Sequence, residues 1–162
     1  MKIKHFLSAV LTVLVFSSSF IAAQEESQCF IDEHNVAISG YDAVSYFTQN
    51  KAVKGTEEFK VTFDNASFLF SSKENKVLFE KDPMKYMPQY GGFCAFGLGA
   101  KNMKFPTNPE TFEVVDGKLF LFFNDMYKGK KMNTKMMWDK EQTKTHKLAD
   151  ANWSKMMEKA MH

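Results

Sequence analysis

The sequence contains no arginine, because all 21 of its basic residues are lysine. Arginine supplies the planar fork that binds phosphate and carboxylate groups in a bidentate manner, and lysine does not reproduce that geometry. From residue 24 onward the chain carries 19 lysines and 19 acidic residues, so the net charge there is close to zero. Nucleic-acid binding depends on a surplus of positive charge. We therefore expect no nucleic-acid partner.

Histidine and cysteine are also scarce, with four and two residues respectively. Nucleophilic catalysis by a cysteine needs a base beside it, and that base is usually a histidine. His34 and His146 lie in a polar stretch and in a lysine-rich stretch, and neither context fixes them near Cys94. The sequence thus contains no complete catalytic constellation. A redox or hydrolytic enzyme is the least favoured function.

No acidic residue precedes Glu25, and an apolar and small-residue run extends from Phe6 to Ala23 after two lysines. A positive start, a short apolar middle and a small-residue end are typical of a secretory signal peptide. We expect a signal peptide over 1–23, a polar leader over 24–35, and a periplasmic or secreted protein without a stable membrane span. A retained membrane anchor is the alternative, because about 18 apolar positions can just cross a bilayer.

The remaining chain, 36–162, is predicted to form a single domain with two β-hairpins. Apolar residues alternate with polar ones at Phe59, Val61 and Phe63 before the turn-prone pair Asp64-Asn65, and Phe68 and Phe70 follow the pair. This pattern indicates the first hairpin. Asp116-Gly117 is a favoured type I′ turn, and it separates the strand predicted over Thr111 to Val115 from the one predicted over Lys118 to Phe123.

Helices are predicted between and after the hairpins. A capping box that begins at Ser71 precedes an apolar stripe, so a helix should run from about Ser72 to Lys81. Pro83 suits the first turn of a second short helix. The chain beyond Asn124 has a helical, lysine-rich pattern, and a last helix is expected from about Lys140 to Met161. The predicted fold class is α+β, with two hairpins packed with short helices and a C-terminal helical region.

Several motifs follow one another along the chain: Gly40 to Phe47, Phe68 to Asn75, Asp82 to Tyr86, Tyr90 to Ala95, Val115 to Phe120 and Ala149 to Trp153. Together they resemble the exported branch of the YHS-domain family. The resemblance covers roughly residues 36–155 and implies a YHS-like fold. Related domains accompany copper-transporting P-type ATPases and some oxygenases. The resemblance implies metal binding through cysteines near the first strand and at the hairpin-to-helix junction.

The sequence departs from the family at both of those places. Val44 to Tyr46 stand where the first cysteine is expected, and Ser71, Ser72 and Asn75 occupy the junction. Serine hydroxyls do not replace thiolates as ligands for soft metals, so the family's site is not carried over. The motif that retains a cysteine is the one that contains Cys94.

A metal centre at Cys94 is the favoured hypothesis. Gly91 and Gly92 let the backbone approach closely or adopt a positive φ, so they could hold the Cys94 thiol against the turn that carries Asp42. A thiolate beside a carboxylate could bind one metal ion, and His34 is a further candidate ligand. Copper is the preferred metal and zinc the alternative. The protein would then be a non-enzymatic exported metal-binding module.

Other roles for these residues stay open. Cys94 could fill the core or form a disulfide with Cys29, and Asp42 could be satisfied by backbone N–H groups in an Asx turn. A small planar or apolar molecule could instead bind in an aromatic cleft, with Cys94 structural. The residues predicted to form that cleft are Tyr41, Tyr46, Tyr90, Gly91, Gly92 and Phe93.

Methionine is abundant, with 11 residues. Thioethers are soft ligands that favour Cu(I), and they do not form disulfides in an oxidising compartment. Methionine at helical spacing also serves as a flexible filler of the core, which is the more common use. The methionines therefore suit a copper-binding protein without specifying one.

Overall fold

The structure, a computed structural model, describes residues 28–160. The predicted signal peptide over 1–23 lies outside these residues. The described part is α+β, as predicted, and contains three antiparallel hairpins packed with α-helices. None of the helices within 28–160 has the length and apolar character needed to cross a bilayer.

The hairpins are β1–β2, β3–β4 and β5–β6. The strands are β1 (Thr56–Phe63), β2 (Ala66–Phe70), β3 (Asn108–Val115), β4 (Lys118–Phe122), β5 (Asn124–Tyr127) and β6 (Lys130–Asn133). The helices are α1 (Ser45–Thr48), α2 (Lys73–Lys81), α3 (Pro83–Tyr86), α4 (Ala95–Lys101), α5 (Lys135–Trp138) and α6 (Gln142–Ala160). Short 3-10 segments, Ile38–Gly40 and Gln89–Gly92, precede α1 and α4.

Strand β4 forms a wall shared by two apolar cores. Leu119 and Leu121 pack into one core with hairpin β1–β2 and α2, whereas Phe120 and Phe122 pack into a second core with α4, α5 and α6. All four side chains are at most 1% exposed. Successive side chains of a strand point to opposite faces, so a strand that is apolar on both faces must be covered on both sides. The Lys-Leu-Phe-Leu-Phe run therefore requires both cores.

The segment after β4 forms a third hairpin, and the helical pattern predicted there is wrong. β5 and β6 pair from Asn124 opposite Asn133 to Tyr127 opposite Lys130. Lys128-Gly129 forms the turn, and both residues have positive φ, 49° and 78°. A two-residue turn with positive φ at both positions suits the twist of the flanking strands. The many lysines concealed this hairpin in the sequence, because lysine is compatible with both a strand and a helix.

The glycine-rich stretch after Cys94 forms helix α4. A Cβ atom added at Gly99 would lie 2.3 Å from the Thr145 carbonyl oxygen on α6, and one added at Gly97 would lie 2.7 Å from the Phe105 ring. These glycines therefore allow close packing of α4 against its neighbours.

The N-terminal cap of α2 differs by one residue from the prediction. Ser72 caps the helix, because the Asn75 N–H donates to its hydroxyl oxygen at 3.2 Å. Ser71 has a different partner, Asp42. Helices α3 and α6 agree with the helices predicted at Pro83 and from about Lys140.

The two-sided burial of β4 makes a direct prediction. Leu121→Ala should lower the free energy of unfolding by about 2–5 kcal/mol, because truncation leaves a cavity in a packed core. Leu148→Ala is the matched control on α6, since Leu148 is 43% exposed, and it should change stability by at most about 0.5 kcal/mol. Urea unfolding of both variants measures these values. Equal losses of stability in the two variants would contradict the interpretation that β4 is a wall shared by two packed cores.

Candidate functional site

Asp42 is fully buried and lies at the centre of a hydrogen-bond network. Its Oδ1 accepts the backbone N–H groups of Val44 at 2.9 Å and Ser45 at 3.2 Å, which is an Asx turn. Its Oδ2 accepts the N–H and the hydroxyl of Ser71, at 2.9 and 2.6 Å, and the amide of Asn75 at 2.7 Å. Five donors therefore satisfy this carboxylate, and both of its oxygens are used within the protein.

Cys94 lies at the N-terminus of α4, with its sulfur among polar groups. The N–H groups of Gly97 and Phe123 each donate to Sγ at 3.4 Å, and the Thr134 hydroxyl lies 3.2 Å from Sγ. The Cys94 side chain is fully buried. Because Phe123 follows β4 and Thr134 follows β6, the third hairpin completes this environment.

The structure does not bring together the predicted ligands Cys94, Asp42 and His34. The residue after Asp42 packs into the core on the Leu119 side of β4, whereas the residue after Cys94 packs into the core on the opposite side. His34 is largely exposed, and its Nε2 lies 3.6 Å from a carboxylate oxygen of Glu33. Within residues 28–160 there is no group of three or more histidine, cysteine or acidic side chains that could hold a metal ion.

The double glycine adopts positive φ, 60° at Gly91 and 84° at Gly92, but it contacts Cys29 rather than placing Cys94 beside Asp42. A Cβ atom added at Gly91 would lie 3.2 Å from the Cys29 Cα, and the Phe30 N–H donates to the Gly91 carbonyl at 2.7 Å. The described part of the leader is therefore docked on this bend. Cys29 and Cys94 are not joined by a disulfide.

The aromatic residues predicted to form one cleft occupy separate places. The Tyr41 hydroxyl donates to Glu110 at 3.2 Å, and the buried Tyr46 donates to the Pro109 carbonyl at 2.9 Å. The Tyr90 hydroxyl donates instead to Asp150 on α6 at 2.8 Å. Burial raises the pKa of Tyr46 and of Tyr90, and the Asp150 carboxylate raises that of Tyr90 further. Both phenols are thus neutral hydrogen-bond donors that hold elements together.

Phe93 belongs to a different group of rings. Its ring centroid lies 5.4 Å from that of Phe30 and 6.4 Å from that of Trp153. The Lys104 ammonium lies 4.9 Å from the Phe93 centroid and 5.5 Å from that of Trp153, within the range of cation–π attraction. These contacts connect the described leader to α6, so Phe93 also has a packing role.

A small cavity adjoins Cys94, and we call it the sulfur pocket. Its volume is about 230 Å³. Its lining residues are Cys94, Phe96, Gly97, Lys101, Met103, Phe105, Phe123, Tyr127, Met132 and Thr134. It thus brings one thiol-bearing residue and two thioether-bearing residues to one apolar cavity. No local pattern in the sequence indicates this grouping, because the third hairpin brings Met132 to the cavity.

A larger open cavity, which we call the large cleft, lies beside Tyr90 and Gly91. Its volume is about 840 Å³. Residues from hairpin β1–β2, α3, the start of β4 and α6 line it, together with Gln28 and Cys29. Two residues of the predicted aromatic cleft, Tyr90 and Gly91, therefore do line a cavity, but without the others.

Comparisons with family models, with curated proteins and with solved structures found no match for this chain. The chemistry of the side chains at the two cavities is therefore the guide to function.

The Asp42 network predicts a large cost for loss of its charge. Asp42→Asn places an amide NH₂ group against donors, so at least one buried hydrogen bond is lost. We expect the free energy of unfolding to fall by about 2–5 kcal/mol. Asp116→Asn is the control, because Asp116 is exposed in a turn where Asn-Gly is equally favoured. Chemical denaturation compares them, and equal stability of the two variants would contradict the structural role of Asp42.

Proposed function

We propose that the protein is an exported, non-enzymatic YHS-type module that binds Cu(I) in the sulfur pocket. The observation that carries this proposal is the presence of Cys94, Met103 and Met132 around one cavity. Thiolate and thioether sulfur are the ligands that select Cu(I) over harder cations. Cys94 thus keeps the role expected from the sequence, while methionines replace Asp42 and His34 as its partners.

The surroundings of the Cys94 sulfur support a ligand role. A cysteine binds metal as the thiolate, which needs stabilisation where solvent is excluded. The N–H groups of Gly97 and Phe123 already donate to the sulfur, so they hold it in a fixed orientation as partners of a metal ligand do. When bound, Cu(I) would compensate the thiolate charge, and the apolar walls would limit access of water and oxidants.

The size of the pocket is consistent with an ion and its ligands. A volume of about 230 Å³ is below the range of roughly 300–1,000 Å³ that is usual for drug-sized ligands. The pocket is larger than the volume that one water molecule occupies in the liquid, about 30 Å³. A metal ion held by side chains that turn inward fits this space.

A small apolar molecule is the second candidate for the same pocket. The observation that favours it is the ring-lined wall formed by Phe96, Phe105, Phe123 and Tyr127. An apolar cavity of about 150 Å³ suffices to bind benzene, so a single-ring compound fits. Cys94 would then be structural, as the cap of α4.

Copper competition separates the two candidates. The purified protein, reduced and loaded with Cu(I), is titrated with the chelator bicinchoninate. Cys94→Ser should weaken Cu(I) binding at the pocket by at least ~100-fold, because loss of a group that merely hydrogen-bonds to a metal ligand already costs about 10–100-fold. The substitution is nearly isosteric, and serine can still cap α4. Met132→Leu should also weaken Cu(I) binding, because it removes a thioether from the pocket.

Met136→Leu is the matched control, since Met136 is 64% exposed and does not line the pocket. It should leave Cu(I) affinity unchanged. Unchanged affinity in both Cys94→Ser and Met132→Leu would overturn the copper proposal. Stabilisation of those variants by benzene in a thermal shift assay would then support the small-molecule alternative.

A further inference from the structure

Sulfur-bearing residues are concentrated at two cavities. Residues 28–160 contain eleven cysteines and methionines, and seven of them line either the sulfur pocket or the large cleft. The four at the large cleft are Cys29, Met84, Met87 and Met157. They come from the leader, from α3 and the segment that follows it, and from α6, so the fold collects them from three separated parts of the sequence.

We propose that the large cleft is a second and more exposed binding site for a soft monovalent cation, Cu(I) or Ag(I). Thioethers bind such ions without having to lose a proton, so solvent exposure does not disable them as ligands. This site has its own residues and does not depend on the sulfur pocket.

Core packing accounts for only one of these methionines, Met87, which lies against the core that contains Leu119 and Leu121. Met84 is 71% exposed, and Met87 and Met157 are only partly buried. An exposed large apolar side chain is informative where several share one concave surface. Flexible unbranched thioethers can rearrange around a ligand at little cost, which a branched aliphatic side chain does not allow.

The other walls of the cleft suit a cation. The Asp64 and Asp150 carboxylates line it together with one ammonium group, that of Lys118. The Trp153 ring also lines it, and aromatic faces attract cations. Asp150 is held in place by the Tyr90 hydroxyl at 2.8 Å.

The cleft and the sulfur pocket lie at opposite ends of β4. Lys118, the first residue of β4, lines the cleft, and Phe123, the residue after β4, lines the pocket. Five steps of a strand span about 17 Å. The protein therefore has room for two ions at once, one at an open site and one at an enclosed site.

Native mass spectrometry counts the Ag(I) ions that the protein retains. Ag(I) is chosen because, unlike Cu(I), it is not oxidised by air. The wild-type protein should retain two Ag(I) ions. The triple variant Met84→Leu/Met87→Leu/Met157→Leu should retain one, as should Cys94→Ser. The control Met126→Leu/Met136→Leu/Met137→Leu changes three exposed methionines outside both cavities and should retain two.

The outcomes distinguish the two sites. If the cleft variant binds as many ions as the wild type, the second site is overturned. If the cleft variant loses an ion while Cys94→Ser loses none, the second site stands and the sulfur-pocket proposal fails. A measurement on the unmutated chain guards against misfolding of the variant: the ¹³C-methyl NMR signals of Met84, Met87 and Met157 should shift on addition of Ag(I). Unshifted signals would also overturn the second site.

Discussion

The two-sided burial of β4 is the constraint on which the rest of the structure depends. A strand with leucine on one face and phenylalanine on the other is stable only when both faces are covered. Hairpin β1–β2 with α2 covers the leucine face, and α4 to α6 cover the phenylalanine face. The same strand carries the residues next to both cavities at its two ends. Any change that loosens one core therefore also alters a candidate site.

The buried Asp42 side chain uses both of its carboxylate oxygens for hydrogen bonds within the protein. A carboxylate removed from water needs compensating donors. Ser71 and Asn75 supply three of the five donors, and they stand at the junction between hairpin β1–β2 and α2. Their bonds to Asp42 fix that hairpin to the segment before α1. The polar residues at the junction therefore have a structural role.

The features with local signals could be predicted from the sequence. Asp116-Gly117 fixes a hairpin turn, Pro83 fixes a helix start, and the alternation around Asp64-Asn65 fixes the first hairpin. The α+β class follows from these elements. The third hairpin was missed because Lys128-Gly129 lies among lysines that also suit a helix. The helix propensity of lysine is a weak predictor where no buried apolar face supports it.

Cys94 is the one residue that the metal centre predicted from the sequence and the proposed sulfur pocket have in common. Whether Cys94 meets Asp42 or Met132 depends on which side of β4 each residue packs, and that is a tertiary fact without a local pattern. The double glycine was correctly expected to have positive φ, yet its partner is Cys29. Asp42 accepts hydrogen bonds from the buried donors that the fold places around it. The sequence motifs therefore did not determine which of their residues meet in space.

Sulfur-bearing side chains line both cavities, and we propose that those of the sulfur pocket bind Cu(I). X-ray absorption at the copper edge of the protein loaded with one equivalent tests this most directly. We predict a reduced copper ion whose first shell contains sulfur alone, with loss of one sulfur neighbour in Met132→Leu. A first shell of nitrogen or oxygen, unchanged by that substitution, would contradict the account.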